Sequence, residues 1–236
     1  MTFTNTITTA VLATVTLAAS SQMAYGANRL YQSSAWASAG AFSGGNGYTW
    51  DRESRDSNNW LEEHNHRAYV VDGNFYTGFQ CAWSSLYSTE SNVDEFPAHA
   101  VECDISLSTG VMRFVSPGET SEPVSSAGWR AELQILDETT VEVAYQTMFY
   151  KQTQSLYSSA LFLMIYNIDT REYELSHATA ATRNGNDVRA GVVDVDLDPG
   201  NYTVYAYLQC YSYGQVAFPT FENVQCQAEV QIREKG

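Results

Sequence analysis

Apolar and polar residues alternate along most of the chain, most clearly from Val192 to Cys210. Before the segment Asp198-Pro199-Gly200-Asn201, one apolar row comprises Val193, Val195 and Leu197. After it, a second row comprises Tyr202, Val204, Ala206, Leu208 and Cys210. Period-two alternation indicates strands with one buried and one solvated face. Because Pro and Gly favour a type II turn, we expect a hairpin here, with positive φ at Gly200.

The same pattern predicts strands over much of the remaining sequence. They cover 29–42, 60–72, 75–87, 99–107, 111–115, 130–136, 141–150 and 160–168. We expect 29–42 to be an edge strand, 48–59 a surface loop or frayed strand, and 177–187 a polar loop. Strands 99–107 and 111–115 should pair across Ser108-Thr109-Gly110. The sequence therefore predicts an all-β fold, an antiparallel two-sheet β-sandwich of jelly-roll-like form.

The predicted sandwich occupies residues 27–236 as one domain. A chain of 236 residues can bury a substantial core, and β-sandwiches of this size are often undivided. Residues 116–126 contain two prolines and no apolar periodicity, which makes them the place for a break if there were two domains. We expect this stretch to be a crossover between sheets, because the segment before it would make a poor core alone.

Residues 1–26 have the features of a secretory signal peptide. They contain no Asp, Glu, Lys, Arg or His, and Ile7 to Ala19 is an apolar run of the length of a signal-peptide core. Small residues at Ala24 and Gly26 suit cleavage before Ala27. The alternative is a Thr-rich N-terminal strand. We therefore expect a secreted or periplasmic protein with no membrane association once the signal is removed.

Four cysteines lie on alternating rows that we interpret as core-facing. An exported protein should hold them oxidised. Since strands that follow each other in sequence tend to be neighbours in space, we predict the disulfides Cys81–Cys103 and Cys210–Cys226. Each would contribute about 3 kcal/mol through loop closure. Buried free thiols are the alternative.

The charge of the chain disfavours polyanionic partners such as nucleic acid. The formal net charge is −15, with 12 Lys and Arg against 27 Asp and Glu. DNA and RNA binding need a basic patch that these scattered residues do not form, and anionic membrane surfaces are disfavoured for the same reason.

After the predicted leader come a Ser/Ala-rich segment, SSAWASAGAFS (33–43), alternating strands and an L-x-P-G-x-Y-x-V segment (197–204). In these features the chain resembles exported bacterial β-sandwich proteins of the PEP-CTERM-associated type. The second segment also resembles the closing hairpin of bacterial pre-peptidase C-terminal domains. The residues from Ile232 to Gly236 lack the sorting motif, apolar helix and basic tail, so the resemblance does not extend to sorting-dependent anchoring. It implies an exported sandwich with no assigned reaction.

Asp194, Asp196 and Asp198 lie at period two on one face of a predicted strand, about 7 Å apart in succession. Carboxylates suit calcium, and a Ca²⁺ site built partly from turn carbonyls is one interpretation. An EF-hand loop is excluded, because Gly200 is one position late and Tyr205 stands where Glu is required. A solvated acidic face is the simpler interpretation, and we expect no other cofactor.

A second metal hypothesis concerns Glu62, His64 and His66. Alternation places the two imidazoles on one strand face, a geometry that can hold zinc, copper or iron. No further ligand follows at a suitable spacing, so an exposed polar strand end is the alternative.

The aromatic row is the stronger lead to function. Tyr205, Tyr207, Gln209, Tyr211 and Tyr213 share the face opposite the core row. Flat exposed rings stack on the apolar faces of sugars, while Gln209, Thr203 and the Asp row could bond hydroxyl groups. Cross-strand aromatic pairing that stabilises the sheet is the alternative.

These features favour a non-catalytic extracellular module that binds carbohydrate or a cell-surface polymer. A structural or matrix protein that self-associates through sheet edges is the second hypothesis. A polysaccharide-acting enzyme is the third. The sequence has no G-x-S-x-G nucleophile elbow and no E-x-D-x-x-E or E-x-D-x-E pattern of paired carboxylates, and two carboxylates would suffice for glycoside hydrolysis.

Overall fold

The computed structural model contains twelve β-strands in two antiparallel sheets. It describes residues 28–43, 47–56, 64–74, 78–90, 101–115, 122–152, 156–181, 184–213 and 218–235. The strands are β1 Arg29–Ser43, β2 Gly47–Asp56, β3 His64–Asn74, β4 Gly78–Glu90, β5 Glu102–Val115, β6 Val124–Ile135, β7 Thr139–Gln152, β8 Leu156–Asn167, β9 Tyr173–Ala180, β10 Gly185–Leu197, β11 Gly200–Tyr213 and β12 Thr220–Lys235. Within these ranges there is no helix of the length and hydropathy needed to cross a membrane.

The predicted two-sheet sandwich is confirmed. Sheet I has the strand order β2-β1-β6-β11-β8-β9, and sheet II has the order β10-β7-β12-β5-β4-β3. Strands β5 to β12 form two four-stranded sets, β6-β11-β8-β9 in sheet I and β5-β12-β7-β10 in sheet II. The chain passes repeatedly from one set to the other. This arrangement is a jelly roll. The hairpins β1–β2 and β3–β4 extend its two sheets beside β6 and β5.

Side-chain alternation builds the core between the sheets. Strand β6 shows it clearly, since Ala127, Trp129, Ala131 and Leu133 are fully buried and the residues between them, apart from Gly128, are half-buried. The predicted core row of β11 from Tyr202 to Cys210 is also buried. Burial of one large aliphatic or aromatic side chain contributes about 1.5–3 kcal/mol, so these rows supply most of the driving force for folding.

The predicted hairpin between Val192 and Cys210 is wrong. Strand β10 pairs with β7 in sheet II, whereas β11 lies between β6 and β8 in sheet I. The turn at Asp198–Asn201 therefore carries the chain across the end of the sandwich, and Asn201 N donates to Asp169 Oδ2 at 3.1 Å. Positive φ among the described glycines occurs at Gly185 and not at Gly200. Alternation identified both strands but carried no information on which strands pair.

The predicted turn at Ser108-Thr109-Gly110 is also wrong, because β5 runs through it without interruption. Gly110 lies opposite Trp83 of β4, and a Cβ on Gly110 would fall 2.1 Å from Trp83 Cζ2. The glycine is needed for close approach of the indole and not for a turn. Gly40 with Trp50 and Gly128 with Trp36 repeat this cross-strand arrangement.

The edge strands differ from expectation. Strand β1 lies between β2 and β6, so the edge strand on that side of sheet I is β2, in the stretch expected to be a loop or frayed strand. The carboxylates of β2 reach the edge strand β3 of sheet II. Arg67 N donates to Glu53 Oε2, and Tyr69 N donates to Asp51 Oδ2, each at 2.8 Å. Two edge N–H groups that could pair with another strand are thereby occupied.

Both predicted disulfides are absent, and all four cysteines are buried thiols. Cys81 and Cys103 lie on the paired strands β4 and β5 but near opposite ends of the pairing, opposite Met112 and Glu90. Alternation also places Cys81 on the outer face of sheet II, whereas Cys103 faces the core. A disulfide needs Cα atoms within about 7 Å, which this register prevents.

The second pair fails for a different reason. Cys210 belongs to β11 of sheet I, and Cys226 belongs to β12 of sheet II, so the thiols face each other across the core. Stacked sheets lie about 10 Å apart, farther than the usual Cα separation of a disulfide. Thr109 Oγ1 donates to Cys210 Sγ at 3.2 Å. Burial raises the pKa of Cys210 to about 12, and burial with the neighbouring Cys210 also raises the pKa of Cys226.

One charged pair is enclosed in the core. Arg113 Nε donates to Glu222 Oε2 at 2.6 Å, and both side chains are at most 1% exposed. The two residues are cross-strand neighbours on β5 and β12. Ser212 Oγ of the opposite sheet donates to the same carboxylate oxygen at 2.9 Å. This cluster ties the two sheets together through charged hydrogen bonds.

The predicted signal peptide lies outside the described residues, as do residues 116–121 of the predicted crossover. Strand β6 begins at Val124, within the stretch expected to be linker.

Candidate functional site

The predicted aromatic row lies on the outer face of sheet I. Tyr205, Tyr207, Gln209 and Tyr211 are half-buried there, because the alternate residues of β11 fill the core. Tyr213 is the last residue of β11, and its side chain lies outside the described part of the structure. Since β11 is central in its sheet, this row is flanked on both sides by other strands.

Strand register adds two aromatic residues that the sequence did not connect with this row. Tyr207 lies opposite Phe162 of β8 on one side and opposite Gly128 of β6 on the other, and Gly128 lies opposite Trp36 of β1. The ring centroids of Trp36 and Tyr207 are 6.2 Å apart, and those of Tyr207 and Phe162 are 6.0 Å apart. Both pairs are inclined by 32°. We call Trp36, Phe162, Tyr205 and Tyr207 the aromatic platform.

Gly128 lets the indole of Trp36 lie across β6. A Cβ at this position would fall 2.2 Å from Trp36 Cζ2, a distance that no real contact allows. Any larger residue would push the indole away from Tyr207. The glycine inside a strand therefore has a packing role, and it brings the first two rings of the row together.

Polar groups flank the row on its Gln209 side. The hydroxyl of Tyr207 donates to Gln209 Oε1 at 3.2 Å, and the Oγ atoms of Ser38 and Ser126 are 2.8 Å apart. Burial raises the pKa of Tyr207, and a hydrogen bond with Ser126 offsets part of that rise. The phenol is therefore protonated at neutral pH, and it can donate to or accept from a ligand hydroxyl.

Arg130 flanks the row on the opposite side. It is the cross-strand neighbour of Tyr205, and its guanidinium carbon lies 5.6 Å from the centroid of that ring. Such cation–π contacts stabilise by about 0.5–1 kcal/mol when exposed. A carboxylate oxygen of Glu132 lies 3.8 Å from Arg130 Nη2, which exceeds hydrogen-bond distance.

Further aromatic residues extend toward both edges of sheet I. Trp50 of β2 lies over Gly40 and is 56% exposed. On the other side the rings of Tyr166 and Tyr173 have centroids 5.1 Å apart, and Tyr173 is 59% exposed. Aromatic side chains thus occur from β2 to β9 across the outer face.

The acidic row does not join this surface. Asp194 and Asp196 are exposed on the outer face of sheet II, where Lys235 Nζ contacts Asp194 Oδ2 at 2.7 Å and Thr140 Oγ1 donates to Asp196 Oδ1 at 2.7 Å. Asp198 follows β10 and is exposed. The expectation that the Asp row and the tyrosines would bond one ligand is therefore wrong, because β10 and β11 belong to different sheets.

The described residues do not provide a set of metal ligands for either metal hypothesis. Within the described residues no three His, Cys, Asp or Glu side chains are placed to hold an ion together. Glu62 and the side chain of His64 lie outside these residues. His66 points into the sandwich at 6% exposure, and its Nδ1 lies 3.9 Å from Glu53 Oε1. Calcium binding by the Asp row stays a prediction.

A second polar cluster lies at the β9 and β10 edges and was missed because residues 177–187 were expected to be a loop. His177 Nε2 and the Tyr145 hydroxyl are 2.9 Å apart, and Arg189 Nη2 bonds Asp187 Oδ2 at 3.0 Å. Continuing the apolar row of β10 back from Val193 would have placed Arg189 and Asp187 facing inward. Each pair is joined by a polar contact within the protein, as is usual for polar groups that are partly buried, so the cluster is explained by stability.

No protein-family model matches the sequence, and no curated protein sequence matches it. The resemblance to PEP-CTERM-associated proteins and to pre-peptidase C-terminal domains therefore stays a prediction.

Similarity to solved structures is weak. A carbohydrate-binding module of the β-sandwich superfamily has 9% identity and a TM-score of 0.25, over 89% of this chain and 99% of that one. An arabinose-bound α-L-arabinofuranosidase has 12% identity and a TM-score of 0.22, over 70% of this chain; this chain spans 23% of that enzyme. A structure of the Gx strain of infectious bursal disease virus has 6% identity and a TM-score of 0.28, over 87% of this chain and 62% of that one. Scores this low carry no argument about function.

Proposed function

We propose that this protein is a non-catalytic extracellular module whose aromatic platform binds carbohydrate or another surface polymer. The observation that carries the proposal is the row of Trp36, Tyr207 and Phe162, with successive centroids 6.2 and 6.0 Å apart. Sugar rings present apolar C–H faces that stack on aromatic rings, while their hydroxyls need hydrogen-bonding partners beside the rings. The platform offers both kinds of group.

The direction of the row favours a chain-like ligand. The three rings belong to β1, β11 and β8, so the row runs across the strands of sheet I. Ser38, Ser126 and Gln209 follow one side of it, and Arg130 stands on the other. A polymer lying along the row would meet several rings and a polar group at either side.

Export is part of the proposal, and the predicted signal peptide at residues 1–26 supports it. A sugar-binding surface on an exported protein would meet extracellular or cell-surface polymers. Self-association through sheet edges, the alternative, has less support at β2 and β3, where Asp51 and Glu53 already bond two N–H groups that strand pairing would use.

A glycan array, followed by titration calorimetry on the ligands it identifies, tests the proposal. Tyr207→Ala and Trp36→Ala should each weaken binding about 30-fold, as expected for loss of about 2 kcal/mol at an aromatic hot spot. Tyr69→Ala is the matched control, because Tyr69 is 61% exposed on the outer face of sheet II. No glycan binding, or equal affinity in all three variants, would refute the proposal.

A further inference from the structure

We infer that the aromatic platform selects an anionic glycan, in particular one with uronate carboxylates, and that Arg130 binds the carboxylate. This inference rests on the proposed function and specifies the ligand class of the same site. Two observations carry it, the distribution of charge over the outer faces and the unused donor capacity of Arg130.

The outer faces of the two sheets differ in the charged side chains that the structure describes. Beside the platform, the charged side chains that the structure describes on this face are Arg52, Arg130 and Glu132. The outer face of sheet II is more acidic, because the six carboxylates of Glu102, Asp104, Glu142, Asp194, Asp196 and Glu229 outnumber the three described cations Arg67, Arg233 and Lys235. Around the platform the described charges are therefore two arginines and one glutamate, in a chain whose formal net charge is −15.

Distance and salt weaken repulsion from the acidic face. Two stacked sheets separate the outer surfaces by more than the roughly 10 Å between sheet planes. The Debye length at physiological ionic strength is about 8 Å, so carboxylates on sheet II are largely screened from a ligand on sheet I. The local charges beside the platform therefore dominate what an anionic ligand experiences there.

Arg130 has donor capacity that the protein leaves unused. Its Nε has no hydrogen-bond acceptor among the described residues but is enclosed, so a ligand would reach the guanidinium through its terminal nitrogens. The oxygen of Glu132 is 3.8 Å from Nη2, too far for a hydrogen bond. The side chain is nevertheless 42% exposed, and its position over the Tyr205 ring holds the guanidinium beside the platform.

A uronate carboxylate fits this arrangement. Guanidinium binds carboxylate through two parallel N–H···O bonds, and both partners are planar. A uronic acid has its carboxylate on the ring carbon that bears a hydroxymethyl group in a neutral hexose. A sugar stacked on the tyrosines would present this group at the rim of its ring, within the region that Arg130 flanks. A neutral sugar would supply no anionic acceptor of its own for the guanidinium.

Calorimetry with three polymers tests the inference on the full chain. Polygalacturonate is the uronate probe, its methyl ester is the matched uncharged probe, and dextran sulfate distinguishes carboxylate from sulfate. Wild type should bind polygalacturonate at least about tenfold more tightly than the methyl ester, as expected of hydrogen bonds to a charged group. Added salt should weaken the difference. Dextran sulfate should bind more weakly than polygalacturonate.

Variants separate the two proposals. Arg130→Gln should lose about tenfold on polygalacturonate and leave binding of the methyl ester unchanged, and Arg130→Lys should recover only part of the loss. Arg67→Gln, on sheet II, is the charge-matched control, and near-UV circular dichroism checks folding. Equal affinity for both polymers, or no effect of Arg130→Gln while Tyr207→Ala still abolishes binding, would overturn the inference alone. Absence of all glycan binding would overturn the proposed function with it.

Tighter binding of dextran sulfate than of polygalacturonate would overturn the carboxylate assignment, because a tetrahedral sulfate would then be the preferred acceptor.

Discussion

Removing the charge of Glu222 should destabilise this protein far more than removing the charge of an exposed, ion-paired carboxylate. Arg113 and Glu222 are at most 1% exposed and are joined at 2.6 Å. Glu222→Gln keeps the shape of the side chain but leaves the guanidinium of Arg113 in the core without its counter-ion. It also weakens the acceptor for Ser212, which reaches the carboxylate from the opposite sheet.

The expected cost is about 3–5 kcal/mol, the range for breaking a buried ion pair by removing one partner. This cost reflects the unpaired charge that remains and not the net contribution of the pair. Arg113→Met/Glu222→Leu removes both charges, and apolar replacement of a buried pair is often neutral or stabilising. The double variant should therefore be more stable than either single one.

Urea unfolding at neutral pH, followed by tryptophan fluorescence, measures the differences through the midpoint and the slope. The matched control is Glu102→Gln, because Glu102 pairs with Arg233 at 3.3 Å while both side chains are 40–45% exposed. An exposed pair contributes at most about 1 kcal/mol. If Glu222→Gln cost no more than Glu102→Gln, or if the double variant were the least stable, the buried-pair reasoning would be wrong.

Three further predictions concern the sheet edge, the outer face of sheet II and the thiols. Asp51→Asn/Glu53→Gln should weaken the bonds to the β3 edge and promote dimers in sedimentation velocity; unchanged sedimentation would count against a protective role. Burial raises the pKa of Glu229 above its value in the unfolded chain, so the folded state favours the protonated carboxyl. The resulting contribution to stability is fully present below about pH 4.3 and is lost as pH rises through the raised pKa. Glu229→Gln should stabilise the protein in urea at pH 7 by at most about 0.5 kcal/mol, with the gain vanishing near pH 4; a gain that grew toward low pH would refute this. All four thiols are buried, and burial raises the pKa of Cys210 to about 12, so the thiols should resist iodoacetamide in the native protein. All four should react in urea without reductant, and mass spectrometry showing fewer than four adducts there would contradict reduced thiols.

Sequence reasoning found half of the candidate site. It placed Tyr205, Tyr207 and Gln209 on one face, because alternation within a strand is local. It could not find Trp36 and Phe162, since their proximity to Tyr207 depends on how β1 and β8 align with β6 and β11. Glycines inside strands were a usable signal, because a glycine there often marks close approach of an aromatic side chain.

The cysteines show how a sound local pattern led to a wrong long-range conclusion. Cys103, Cys210 and Cys226 do lie on core rows, as the alternation predicted. Cys81 instead faces outward and is covered by its neighbours on that face. Pairing by sequence order then assumed that strands adjacent in sequence bring their cysteines together. The jelly roll sends β11 and β12 to opposite sheets, and the register of β4 with β5 separates Cys81 from Cys103.

The amino-acid order alone determined the all-β class, the position of most strands and the face that most side chains take, because steric preference and the two-residue pleat act between near neighbours. Tertiary structure decided which strands pair, in which register, and therefore which aromatic rings meet. Those choices depend on how twelve strands of similar pattern bury their apolar faces together, and no single strand contains that information. The platform on sheet I exists because that collective packing put β11 in the middle.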